Sequence, residues 1–366
     1  MARAETVGSL LQPDGLLEAR KQAEEGAISA DELTAIEDRE ILTAIELQSS
    51  VGLDVITDGE FRRPGWADTV RHLNGLESRE GERSYPATAN RPAGGSTRYG
   101  PGFPTVVSKI SPKAEHPVGG EYPFLAAHAT RRTKYTMAAP SYHRRYWSDE
   151  VSPRESGYAT CEEYLTDVRD WLHDVAARLV SQGCTYVQLD APNYGSLCDP
   201  NTRAFHAERG HNLDEQIAFD AALDSSVFDG LDVTGALHVC RGNMPGGTWH
   251  SQGGYGIIAE PLFSNLAVDV VLLEYDSERA GDFGPIKLVK PGTVAVLGLL
   301  TTKAGALEEE ADVRRRIEEA AGVKPLDELA LSTQCGFASA TNAPMTIDEE
   351  RAKLTLVGSL AHSVWR

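Results

Sequence analysis

The sequence predicts an α/β protein, a (β/α)8 barrel, and three observations lead there. Eight apolar runs of strand length alternate, for the most part, with stretches of helical periodicity, the pattern of parallel β-α-β units. The chain has 366 residues, a length at which such barrels form one unit, so a single barrel domain over residues 1–366 is expected. No Gly-x-Gly-x-x-Gly follows the first run and no phosphate-binding P-loop occurs, which leaves an open dinucleotide-binding sheet without its signature.

Taken in order, Ala4 to Leu11 reads as a short strand ending in a Gln-Pro turn. Ser29 and Glu32 have capping-box spacing ahead of a helix with Leu33, Ile36, Ile41, Ala44 and Ile45 on one face, stopped near Gly52. LDVITDGE, residues 53–60, is the second strand. The stretch 75–132 is rich in Gly, Pro and Arg; it is too long for a plain connection and reads as an irregular excursion or lid between strands two and three. KYTMAA, residues 134–139, is the third strand. Glu162 to Gln182 is the clearest helix, with Leu165, Val168, Leu172, Val175 and Leu179 at helical spacing. Strands four to eight follow as TYVQLDAP, TGALHVC, VDVVLLEYD, TVAVLGLL and LALSTQCGF, with a charged helix from Leu307 to Ala321 before the last. Thr346 and Glu349 repeat the capping-box spacing at the start of a terminal helix.

Composition narrows the function classes. A formal charge of −19 repels phosphates, so neither nucleic acid nor an anionic membrane is the expected partner. No apolar run approaches the roughly 20 residues of a membrane span, and the first residues carry no signal-peptide core. Five cysteines in a chain of this length give no disulfide framework; a cytoplasmic protein with reduced thiols is the expectation. A homo-oligomer is compatible with this composition.

The chemistry gathers at strand ends. His238 and Cys240 are two apart on an extended run, so both point the same way. Alone, His-x-Cys says little. Glu274 ends the next apolar run and Cys335 the last. In a barrel the C-terminal strand ends share one face, which brings Glu60, Asp190, His238, Cys240, Glu274 and Cys335 together. Two thiolates, an imidazole and a carboxylate suit Zn2+, and ligands spread over three strands resemble a catalytic rather than a finger-like site. Asp276 lies close to Glu274 in sequence as a second carboxylate. So electron-rich a site is a poor source of hydroxide but well suited to holding a substrate thiol as thiolate.

VGSLLQP, DVITDGEFRR, YVQLDAP, HVCRGN, LLEYDSER and STQCGFAS, in that order over nearly the whole chain, resemble the catalytic barrel of cobalamin-independent methionine synthases, in the single-barrel branch of that superfamily. The resemblance implies zinc on His238, Cys240, Glu274 and Cys335. It also implies contacts from Ser9, Glu60 and Asp190 to the amino-acid part of homocysteine, and transfer of a methyl group from a 5-methyltetrahydrofolate-type donor. The additional N-terminal barrel of the two-barrel enzymes has no counterpart in the match. The seventh strand departs from the pattern. Where the family has Asp-Ile-His-Ser, with the His thought to protonate the departing folate nitrogen, this chain has Gly298-Leu299-Leu300-Thr301. Leu300 therefore replaces the family acid, and either another residue supplies the proton or the donor differs; His143, Lys303 and His250 are the candidates.

Two other readings compete. Epoxyalkane:coenzyme M transferases use similar zinc ligands to open epoxides with a sulfonated thiol, for which Arg62, Arg63, Arg241 or Lys303 could be anchors. A non-catalytic zinc-binding barrel would keep the metal and lose the acceptor site. Cys161, Cys184 and Cys198 read as packing residues. Tyr142, Tyr146 and Trp147 could stack on a flat ring or fill a loop, and Trp249 and Tyr255 could line the mouth or anchor it.

Overall fold

The computed structural model describes residues 2–67, 71–79, 103–113, 120–339 and 342–365. Its main sheet is parallel throughout and is built from β1 (Ala4–Glu5), β2 (Val55–Ile56), β3 (Arg132–Thr133 and Tyr135–Ala138), β4 (Tyr186–Asp190), β5 (Thr234–Val239), β6 (Val270–Glu274), β7 (Val294–Leu300) and β8 (Leu329–Thr333). The first piece of β3 pairs with β2 and the second with β4. The two ends of the sheet are thus halves of one stretch, and between them the Lys134 amide donates to Ile56. The sheet closes on itself as an eight-stave barrel. All eight predicted runs are staves, in the predicted order.

Alternation along the staves separates two cores. Val7, Val55, Tyr186, Ala236, Val270, Leu272, Val294, Val296 and Ala330 pack together, facing the barrel axis as residues two apart on a strand must. Their neighbours in sequence, such as Val187, Leu237, Val271 and Leu297, join the larger cluster under the surrounding helices. Both capping boxes form: Ser29 with Glu32 opens the helix Ala30–Ser50, and Thr346 with Glu349 opens Ile347–Val364. The helix expected from Glu162 runs from Cys161 to Ser181, with Thr160 accepting from the Glu163 amide.

The excursion is more regular than its composition suggests. Leu73–Arg79 and Phe103–Pro112 form an antiparallel pair, and Glu121–His128 is a helix. The pair is held by Ser152, whose hydroxyl donates to the Val106 carbonyl at 2.8 Å, and by Tyr158, whose hydroxyl accepts from the Ile110 amide at 3.1 Å. FPTVVSKI carries no period-two alternation, its apolar residues standing at 103, 106, 107 and 110, so no local pattern marks it as a strand. Residues 80–102 and 114–119 of the predicted excursion lie outside the described residues.

One close approach fixes the end of β5. The turn Pro192–Ser196 after β4 lies so near it that a Cβ on Gly195 would overlap the Cys240 carbonyl. Gly195→Ala is therefore expected to cost about 1–3 kcal/mol of stability, read by denaturant unfolding. Thr346→Ala, which removes the cap of the terminal helix, costs about 1 kcal/mol.

Candidate metal centre at the barrel mouth

β5 ends in His238 and, just past it, Cys240; the turn after β8 carries Cys335. Their ligand atoms all lie within 4.8 Å of one another, and all three side chains are buried. The two sulfurs are 3.9 Å apart, and Cys335 Sγ also meets Ser339 Oγ at 3.1 Å. Among the described residues neither ring nitrogen of His238 has a hydrogen-bond partner of good geometry, although the Cys335 sulfur and Asp190 lie close enough to act on it. A buried imidazole with both nitrogens unmet is costly; a metal ion would satisfy one of them. Two thiols and an imidazole match a three-ligand zinc site with a fourth position open.

The two thiols titrate as a pair. Their mutual hydrogen bond holds Cys335 well below the usual thiol range and pushes Cys240 well above it, as expected when two buried groups share one proton. Burial opposes a charged His238, yet Cys335 and Asp190 hold its pKa above the ordinary value.

Glu274, expected as the fourth ligand, stands outside this donor cluster. It ends β6 and faces inward, but its Oε1 lies 2.5 Å from Arg279 and 3.4 Å from Lys303, while Oε2 accepts from the Arg241 amide at 2.6 Å. Against the cost of burial, Lys303, Arg241 and Arg279 hold its carboxyl down to about 2. Asp276 shares the same cations, 2.5 Å from Lys303. Sequence reading missed this cationic cradle because Arg279 and Lys303 belong to separate loops.

Asp190 and Glu60 form the other wall. Asp190 pairs in register with His238 across β4 and β5. Burial pushes its carboxyl to about 7, with His238 opposing and Glu60 adding to the rise. Glu60 is the one non-glycine residue with positive φ among the described residues, at 60°. That conformation costs roughly 1–2 kcal/mol for an L-residue, and such strain tends to collect at functional sites. Gly8 allows it: a Cβ there would overlap Glu60 Oε1. Ser9 is buried beside the cysteine turn, its carbonyl accepting from Phe337 at 2.8 Å and its hydroxyl from Ala338 at 3.2 Å.

The remaining candidates are spoken for. Leu300 is buried in the core under the helices. Lys303 holds Asp276, Arg62 pairs with Glu37 and Asp38, and Arg63 with Glu121. Arg241 donates to backbone carbonyls of Gly253 and Glu274. His143 is buried, and burial lowers its pKa to about 3, so it is neutral near pH 7 and a poor proton reservoir. His250 lies in the loop after Cys240, its amide donating to the Gly242 carbonyl. Trp147 stacks on Tyr164 and Tyr142 packs on Trp66. Tyr255 is an anchor: its hydroxyl donates to Val239 and accepts from the Glu274 amide, tying β5 to β6. Trp249 lies under the Arg279 guanidinium. Cys161, Cys184 and Cys198 sit in the hydrophobic core. No helix among the described residues is long and apolar enough to cross a membrane.

A (β/α)8 barrel that buries two thiols and an imidazole within metal-binding reach, facing paired carboxylates at its mouth, defines a class with known relatives. Residues 2–80 match the family model described as cobalamin-independent synthase, catalytic domain. The uncharacterized protein YxjH of Bacillus subtilis (strain 168) is 35% identical over 371 residues, covering 100% of this chain and 95% of that protein. Among solved structures, the putative vitamin-B12 independent methionine synthase of Listeria monocytogenes superposes with a TM-score of 0.75 at 30% identity, over 100% of this chain and 98% of that one. A B12-independent methionine synthase from Shewanella sp. W3-18-1, in complex with selenomethionine, shares the fold with a TM-score of 0.71 at 19% identity, over 100% and 98% of the two chains. The chain belongs to the cobalamin-independent methionine synthase superfamily, among its single-barrel members.

The shared thiol proton is directly measurable. In metal-free protein, ultraviolet absorbance is expected to show one thiolate forming well before the other as pH rises, and Cys240→Ala, which removes the hydrogen-bond donor, to raise the pKa of Cys335.

Proposed function

We propose that this protein is a cytoplasmic, zinc-dependent thiol methyltransferase whose acceptor is homocysteine and whose product is methionine. The observation that carries the reading is the buried His238, Cys240 and Cys335 cluster set against the carboxylates of Asp190 and Glu60. The family supports it, as does the amino-acid thioether analogue named with the Shewanella relative.

His238, Cys240 and Cys335 would hold the metal, with Glu274 as a reserve ligand that must leave its cations to join them. Zinc held there supplies the Lewis acidity that keeps an acceptor thiol deprotonated and nucleophilic toward an activated methyl carbon. Asp190 and Glu60 bind the acceptor's ammonium group through charge-assisted hydrogen bonds. Ser9, whose hydroxyl proton is not used in accepting from Ala338, donates to its carboxylate. Burial of these groups excludes water and strengthens each contact. The acid for a folate-type leaving group is not at Leu300, and the methyl donor is therefore an open choice between a folate and a better leaving group. Among the described residues, the cations that a sulfonated thiol would need are already paired with acids or backbone, which disfavours the epoxide-opening reading.

Purified protein is expected to hold close to one equivalent of zinc by elemental analysis. Cys335→Ser and Cys240→Ser should lose it together with activity. Glu274→Gln should retain most of it, because its carboxylate lies outside the donor cluster. The reaction itself is tested by incubating the protein with homocysteine and a methyl donor, and separately with coenzyme M and epoxypropane. Methionine from the first pair is expected; product from the second alone would sink the proposal. Affinity for methionine, which has no thiol to titrate, should rise with pH as Asp190 ionises through about 7, measured by calorimetry, and Asp190→Asn should flatten that dependence.

A further inference from the structure

Two buried cations lie behind the mouth carboxylates, and neither hydrogen-bonds to them directly. Lys134 Nζ donates to Glu5 Oε2 at 2.6 Å, to the Thr6 carbonyl at 2.5 Å and to Gln188 Oε1 at 2.8 Å. An ammonium has three hydrogens, so all are used. Gln188 Oε1 is thereby fixed as an acceptor, and the amide orientation follows from the network. Its Nε2 must donate, and it does: to the Val7 carbonyl at 2.9 Å and to Asp190 Oδ1 at 2.7 Å.

Arg63 repeats the arrangement one stave away. Its Nε and NH2 engage Glu121 Oε2, each at 3.0 Å, while NH1 donates to Thr136 Oγ1 at 3.0 Å. Thr136 has one hydroxyl hydrogen, and it goes to Glu60 Oε1 at 2.6 Å. The direct Arg63 to Glu60 separation is 3.9 Å, beyond a hydrogen bond. Thr136 and Gln188 are partners in register on adjacent staves β3 and β4.

Each cation thus spends its closest contacts on an acid of its own, Glu5 or Glu121. Its hydrogen bonds reach the mouth only through a neutral group whose donor direction it dictates, Arg63 standing at looser ion-pair distance from Glu60. We propose that Gln188 and Thr136 are positioning residues, oriented by Lys134 and Arg63, that hold Asp190 and Glu60 toward one ammonium group and leave their charges for it. This rests on the assignment of those two carboxylates to the acceptor. Had the cations met the carboxylates directly, the ligand's ammonium would have to displace them, which is costly for buried pairs. Through a neutral intermediary, one oxygen of each carboxylate is oriented and the negative charge is kept. The arrangement selects thiols that carry a primary ammonium over thiols that lack one.

The test compares L-homocysteine with γ-mercaptobutyrate, the same thiol acid without its amino group, by calorimetric binding to the zinc-loaded protein. Wild type should prefer homocysteine. Gln188→Met and Thr136→Val, which keep volume and remove the donor, should each weaken homocysteine binding about ten-fold and leave γ-mercaptobutyrate unchanged. In turnover the same variants should raise KM for homocysteine more than they lower kcat. Should Gln188→Met fail to fold by circular dichroism, Thr136→Val, which leaves the Lys134 contacts in place, carries the test. Equal weakening of both thiols, or a preference kept by the folded variants, would overturn the inference while leaving the carboxylate assignment intact. A wild type that binds both thiols equally would remove the assignment and the inference together.

Discussion

A parallel stave turns every second side chain toward the barrel axis, and in this protein that alternation decides which groups meet. Glu5, Lys134, Thr136, Gln188, Asp190, His238 and Glu274 all occupy inward positions, interleaved with the apolar inner layer of Val7, Tyr186, Ala236 and Leu272. A one-residue slip in any stave would exchange these for residues packed under the helices. The inner layer thus carries charge at the mouth end and below it, joined through Gln188.

Charge in such a place persists only where it is paired or hydrogen-bonded. Lys134 and Glu5 satisfy one another deep in the barrel, Arg63 and Glu121 nearer its rim. Glu274 and Asp276 share Lys303 and Arg279. Two groups are informative: among the described residues His238 has no well-aligned hydrogen-bond partner for either nitrogen, and Asp190 is pushed up to about 7 by burial. The protein's own cations are committed elsewhere. Of the groups left wanting a partner, His238 suits a soft metal, and Asp190, with one oxygen held by Gln188, suits an ammonium.

Much of this was legible in the chain. The eight apolar runs and both capping boxes are local signals, each carried by a few neighbouring residues, and the strands and helices form where those residues stand. His238 with Cys240 was legible too, because a spacing of two fixes a common direction on an extended backbone. Gln188, two residues before Asp190 in YVQLD, carried the same signal and was overlooked. The hairpin inside the excursion was hidden because Phe103, Val106, Val107 and Ile110 do not alternate and stand among Gly, Pro and Arg. The surroundings of Glu274 were not legible, since Arg279 and Lys303 approach it from loops after different staves.

The sequence by itself determined the staves, their order, the inward face of each and the residues at their ends, because strand propensity and period-two alternation act over a few residues. Only the tertiary structure decided which ends touch. It set Cys335 against Cys240 and His238, drew Glu274 toward cations instead, and placed Gly8 where Glu60 needs room. Those outcomes depend on barrel closure, on the bends after β5 and β8, and on competition among buried charges. Such competition is settled by distances between residues far apart in the chain, which no local pattern records.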